Sequence, residues 1–133
     1  MEQTESTPKW VKVVGWILWT LSVPFMAFNA VLHIAGPPAA IEATEKLGLN
    51  PQILLPLGVI ELAILALYVI RRTSIWGAIG YTAYLGGAVC VHVVSQTPGA
   101  FAVIMAVMLW GALICLNPVV AKALGFGSIV KGA

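Results

Sequence analysis

The sequence predicts an all-α integral membrane protein, a four-helix bundle whose spans alternate and leave both termini in the cytoplasm. Three observations carry that prediction. Of its 133 residues, 60% are hydrophobic and 9% charged, whereas soluble domains hold ~45–50% and ~25%. The apolar residues gather in runs of about twenty, the number of helical residues that crosses a hydrocarbon core ~30 Å thick. The basic residues keep to alternate connections. With four alternating spans, Lys9, Lys12, Arg71, Arg72, Lys122 and Lys131 share one side and Lys46 falls on the other. The positive-inside bias assigns the shared side to the cytoplasm.

The chain reads as one membrane domain over residues 1–133, with spans at 13–35, 51–70, 75–94 and 100–118. The first run is too long for the core of a secretory signal and has no small-residue cleavage site behind it, so it reads as an uncleaved anchor. Trp10, Trp16 and Trp19 load its start with rings that favour the membrane interface. Pro24 removes one backbone donor inside it, which predicts a kink. Pro37 and Pro38 end it. The loop that follows, Gly36–Asn50, has room for one or two helical turns, stopped at Gly48. Ile41 and Leu47 would lay that loop on the membrane surface.

Span two closes at Arg71 and Arg72, whose guanidinium groups can reach the headgroups. Span three carries Gly77, Gly80, Gly86 and Gly87. Small residues let helices approach closely in lipid, and Gly87 is expected at such a contact. Pro98 and Gly99 turn the chain into span four, which runs into Asn117 and Pro118.

Glu61 is the one acidic or basic residue of span two. It lies about 15 Å along the helix from Pro51, near the membrane midplane, where a charge is most costly. A carboxyl there is a candidate functional group. In the plainer reading it is protonated and donates a hydrogen bond to Asn29 or Tyr84, tying helices together.

Helical spacing puts Gly58, Glu61, Leu65 and Tyr68 on one face of span two. Ser22, Met26, Asn29 and His33 share a face of span one, and Gly80, Tyr84, Ala88 and His92 a face of span three. Facing inward, these stripes would meet in an outward-opening polar pocket. Glu61, His33 and His92 are its candidate catalytic groups. Asn29, Tyr84 and Trp110 are its candidate ligand contacts.

Both histidines are expected near the outer end, with Glu61 about 10 Å deeper, an offset that speaks against a shared metal ion. No metal site is expected. Cys90 and Cys115 differ in depth by ~15 Å, too far for a disulfide. The chain has no Cys-x-x-Cys, no haem-attachment motif, no nucleotide-binding glycine motif and no basic nucleic-acid patch.

The run GVIELAILALYVIRRTSIWGAIGYTAYLGGAVCVHVV resembles the DoxX-like proteins, small bacterial membrane proteins with four spans. Gly58, Glu61 and Leu62 match in span two. Tyr84 to His92 match as Tyr-Leu-Gly-Gly-Ala-Val-x-x-His in span three, the most specific part. Asn29 and Pro37 fit more loosely.

The resemblance implies a four-helix bundle in the bacterial inner membrane and supports the choice of Glu61 and His92. Some relatives are quinone-linked subunits and others are membrane partners of redox enzymes. A quinone is therefore a candidate cofactor, and a redox partner subunit or a second copy of the chain a candidate partner beside the bilayer. Three functions follow. The first is a lipophilic-ligand site linked to quinone-type redox chemistry. The second is an enzyme using Glu and His as acid and base to isomerise a lipophilic substrate or to open or close its ring. The third is a non-enzymatic assembly or chaperone subunit.

Overall fold

The computed structural model describes residues 7–131. The acidic start of the chain, through Ser6, lies outside the described residues, as does the side chain of Lys131. The described chain is helical from end to end. Helix α1 spans Lys9–Ala35, α2 Pro38–Lys46, α3 Leu54–Val69, α4 Ser74–Val94 and α5 Ala100–Leu116. Two short helices follow, α6 at Pro118–Ala123 and α7 at Gly127–Lys131, and a 3₁₀ turn at Pro51–Ile53 leads into α3.

Set beside the expected spans, α1 ends at Ala35, α4 ends at Val94 and α5 begins at Ala100. The first starts four residues early, directly after Pro8, which occupies the position before the helix and supplies no backbone donor. It runs as one helix through Pro24. The fourth stops at Leu116, because Asn117 turns extended and its side chain accepts from the backbone N–H groups of Val119 and Val120. That cap starts α6 as a separate helix.

Three segments are long and apolar enough to cross a membrane: α1, α3 with its leading turn, and α4. Helix α5 is as apolar but shorter, at 17 residues. The outward faces are apolar too. Phe28, Val31, Leu55, Trp76, Val94, Phe101 and Val107 are all exposed, an arrangement that water does not tolerate over so large a surface.

Helix α1 packs against α3 and α5, and α4 packs against the same two. The core between them takes Val23 and Met26 from α1, Leu65 and Tyr68 from α3, Tyr81 and Leu85 from α4, and Met105 and Leu109 from α5. Tyr68 donates from its hydroxyl to the carbonyl of Leu109 at 2.6 Å, and its ring meets Tyr81 edge-on with centroids 6.1 Å apart. Tyr81 is 1% exposed, and among the described residues its hydroxyl is the buried side-chain polar atom without a partner.

Close packing does rest on glycine, but not on the glycine expected. A Cβ on Gly87 would meet nothing within 4 Å. One on Gly77 would run into the backbone N and Cα of Tyr68. Gly77 is level with the last turn of α3, where the short connection through Arg71 and Arg72 forces α3 and α4 together. Ten residues further on, the helices have diverged around a cavity, and Gly87 faces that space.

The loop after α1 forms α2, mostly exposed, and is joined to the end of α4. Helix α2 ends at Leu47, and Gly48 follows with φ of 76°. Ser95, just beyond α4, donates to the carbonyl of Leu47 at 2.7 Å. That bond ties α2 over the ends of the long helices, burying Thr44.

Gly77→Ala should lower the melting temperature of the purified protein, because the added methyl meets backbone that cannot yield, an overpacking cost of roughly 1–3 kcal/mol. Gly87→Ala, with open space before it and a better helix former in place, should leave the melting temperature unchanged or raise it. Equal losses in the two variants would refute this assignment of the tight contact.

Candidate functional site

Helices α1 and α3 run antiparallel, and Gly58 sets how closely they pass. Its missing side chain leaves room for Ile34, the carbonyl of Ala30 and the Cβ of His33, all within 2.9 Å of where a Cβ would stand. One turn along α3, Glu61 is thereby carried against α1. It is 0% exposed.

Three side chains surround its carboxyl. The Asn29 amide donates to Oε1 at 3.1 Å and to Oε2 at 3.0 Å. The Tyr84 hydroxyl donates to Oε2 at 3.0 Å. Nδ1 of His33 lies 3.1 Å from Oε2 and 3.3 Å from the Tyr84 hydroxyl oxygen. The Glu61 Oε2, the His33 Nδ1 and the Tyr84 hydroxyl thus form a triangle in which every side is a hydrogen-bond distance.

Two expectations change here. The carboxyl accepts from Asn29 and Tyr84 rather than donating to them. And His33 is not separated from Glu61 by the depth that helical rise predicts. Gly58, one turn before Glu61, already stands against the Cβ of His33, so the backbones are offset by only about 5 Å, and side-chain direction closes the rest. A Cα–Cβ bond tilts toward the N-terminus of its helix. In an antiparallel pair, His33 on α1 and Glu61 on α3 therefore lean toward each other and close the gap between their backbones.

A cavity of about 550 Å³ opens beside this cluster. Asn29, His33 and Tyr84 stand on its wall, and Glu61 does not, being enclosed behind them. Most of the wall is apolar, with Phe25, Leu57, Ala88, Phe101 and Met105 among its residues. Thr44, Leu47 and Leu49 cover the end beneath α2. The size and the mostly apolar wall with a few converging polar groups are those of small-molecule sites.

His92 is also on the wall, but its Nδ1 pairs with the Thr97 hydroxyl at 2.8 Å rather than with the Glu61 cluster. Trp110 stands apart from the cavity, its indole N–H donating to the Thr82 hydroxyl at 2.8 Å. Among the described residues, no three His, Cys, Asp or Glu side chains gather in a way that could hold a metal ion. Leu47, Leu49 and Phe101 are wall residues with no mark in the sequence, since each lies outside any periodic polar stripe. Thr97 was legible only as part of a turn.

The profile of the DoxX-like family matches residues 17–116. The chain belongs to the DoxX-like family. The match takes in the Glu61 cluster, the cavity and all of α3 and α4. Together with the apolar helices, it makes the chain an integral membrane protein. No curated protein and no solved structure matches it.

In this DoxX-like chain the Asn29 amide and the Tyr84 hydroxyl donate to one carboxyl, which also has Nδ1 of His33 at hydrogen-bond distance. Glu61→Leu removes the carboxyl and strands those donors, at about 1–3 kcal/mol for each buried group left unpaired. Glu61→Gln keeps one acceptor oxygen. The expected order of melting temperature in detergent is wild type, then Gln, then Leu. Identical melting of all three would mean that the cluster does not hold α1, α3 and α4 together.

Proposed function

We propose that the chain is a single-domain, four-span bundle of the bacterial inner membrane with both termini cytoplasmic, and that it binds a lipophilic small molecule in the outward-opening cavity. The Glu61 cluster exchanges protons with that molecule through His33 and Tyr84. One observation carries this reading: two corners of the hydrogen-bonded triangle, His33 and Tyr84, stand on the cavity wall while the third, Glu61, is sealed behind it. A proton can pass between such groups with little movement of heavy atoms, and a ligand in the cavity meets the two that can deliver it.

In this arrangement the Glu61 carboxyl is the acceptor at the inner end of the relay, and His33 and Tyr84 carry the proton between it and the ligand. Asn29 fixes the carboxyl and offers a polar contact on the wall. His92, at the other polar position of the wall, would serve the far end of a ligand with two polar groups. Quinone-type redox chemistry suits these features, because reduction of a quinone takes up two protons and its ring is apolar. The electrons would come from a partner subunit. General acid–base catalysis on a lipophilic substrate draws on the same groups.

A second reading has its own support. Glu61 is fully enclosed with all its neighbours hydrogen-bonded, as a group that only joins helices would be. The chain would then be an assembly subunit.

Gly87 permits a test that leaves the helix contacts alone, since it lines the cavity with open space before it. Mass spectrometry of organic extracts should recover a lipophilic molecule from the purified wild type and at least roughly tenfold less from Gly87→Phe, which fills the space and excludes its occupant. Equal recovery from both would remove the cavity as the binding site. Once a reaction is in hand, Glu61→Gln should slow it by roughly 10²–10⁴-fold, the range for loss of a positioned proton carrier. Full activity would leave the assembly reading.

Topology is read separately, with Cys90 and Cys115 replaced by alanine. A cysteine at the exposed position Glu45 should react with a membrane-impermeant thiol reagent in intact cells, and one at the exposed position Ser128 should not. Labelling at position 128 would contradict the proposed orientation.

A further inference from the structure

A second cavity, of about 320 Å³, lies at the opposite end of the helices from α2, between the start of α1, the turn joining α3 to α4 and the end of α5. Lys12 and Arg71 both stand on its wall. No carboxylate does. Among the described residues the acids other than Glu61 are Glu42 and Glu45, both on α2, and neither Lys12 nor Arg71 takes part in an ion pair. Among the described residues, two cations thus face one pocket without a counter-charge, an arrangement that favours the entry of an anion.

The rest of the wall says what kind of anion. Trp16 and Trp19 line it together with Leu113 and Leu116, and tryptophan rings in a membrane protein collect at the level of the headgroups. The pocket is therefore amphipathic, cationic toward the helix ends and apolar toward the middle of the membrane. Ser74, also on the wall, donates to the backbone carbonyl of Arg71 at 3.1 Å. A guanidinium grips two oxygens of a phosphate at once, and an ammonium adds a point charge. A small soluble anion would use the cations and leave the apolar wall idle. A phospholipid uses both.

We propose that this cavity binds an anionic phospholipid, its phosphate held by Lys12 and Arg71 and its acyl chains lying along Trp16, Trp19 and Leu116. The site is independent of the ligand in the Glu61 cavity and of the direction in which the protein faces, because it rests on the basic end of the helices alone.

Native mass spectrometry of the full chain in mild detergent, with added phosphatidylglycerol or phosphatidylcholine of matched chains, tests this. The wild type should retain phosphatidylglycerol in preference. The double variant Lys12→Gln, Arg71→Gln should weaken that retention roughly thirtyfold, the product expected for two cationic contacts. Arg72→Gln is the control, an exposed neighbour that does not line the cavity, and it should change little. Equal retention of the two lipids would overturn the proposal, as would equal losses in the control and the double variant, which would assign the effect to general surface charge. Displacement of the lipid by inorganic phosphate at millimolar concentration would also overturn it, by making the pocket a site for small anions.

Discussion

A carboxyl with no access to solvent must find all its hydrogen-bond partners inside the protein, and much of this structure follows from that requirement. Glu61 takes them from two other helices: Asn29 and His33 from α1, and Tyr84 from α4. Each partner must arrive within about 3 Å, which fixes both the rotation and the relative height of three helices. In lipid this matters more than in water. Apolar side chains pack nearly as well against acyl chains as against one another, so helix association gains little from burial alone. A polar cluster that only one arrangement satisfies supplies the specificity that apolar packing lacks.

The same cluster explains the shape of the cavity beside it. Gly77 and the short turn after Arg72 draw α3 and α4 together at one end, and Gly58 draws α3 onto α1 toward the other. A Cβ on Gly86 or Gly87, further along α4, would meet nothing within 4 Å, so those faces of α4 have no close neighbour, while Leu85 and Val89 pack into the core. The resulting space is apolar except where Asn29, His33, Tyr84 and His92 reach it. Helix α2 and the turn after α4 then close the end, joined by the bond from Ser95 to Leu47. Rigid contact and open volume are thus produced by glycines of one helix, and what differs is only whether another backbone stands opposite.

Much of the architecture was legible because lipid imposes simple rules. Apolar runs mark the helices, and the inward stripes of α1 and α3 fall on the residues buried in the structure, from Ser22 and Met26 to Glu61, Leu65 and Tyr68. Glu61 stood out because a carboxyl in such a run is costly. What escaped depends on how helices lie against one another. Gly77 and Gly87 carry the same small-residue signal, but ten residues apart they face directions about 80° different, and only the position of α3 shows which is covered. Helical rise along each span gives neither the register of α3 against α1, which sets Gly58 beside His33, nor the tilt that brings the side chains of Glu61 and His33 together. Trp110 has a partner on its own outer surface, Thr82, which no stripe on either helix predicts. Leu47 became a wall residue through a bond made 48 positions away along the chain.

Unequal helix lengths have a consequence for the bilayer itself. The 27 residues of α1 make a rod of about 40 Å and the 17 of α5 one of about 26 Å. The hydrocarbon core is ~30 Å thick. In the four-span arrangement proposed above, no flat membrane of that thickness suits both. Helix α1 accommodates by extending past the hydrocarbon, with Trp10 and Lys12 in the headgroup zone, whereas α5 is short by a few ångströms. Lipids next to α5 would therefore be compressed relative to those next to α1, and the protein would carry an uneven annulus around it. A thin patch of this kind favours membranes of smaller thickness. In that arrangement the α5 side of the bundle would be the one best matched to a neighbour with equally short spans.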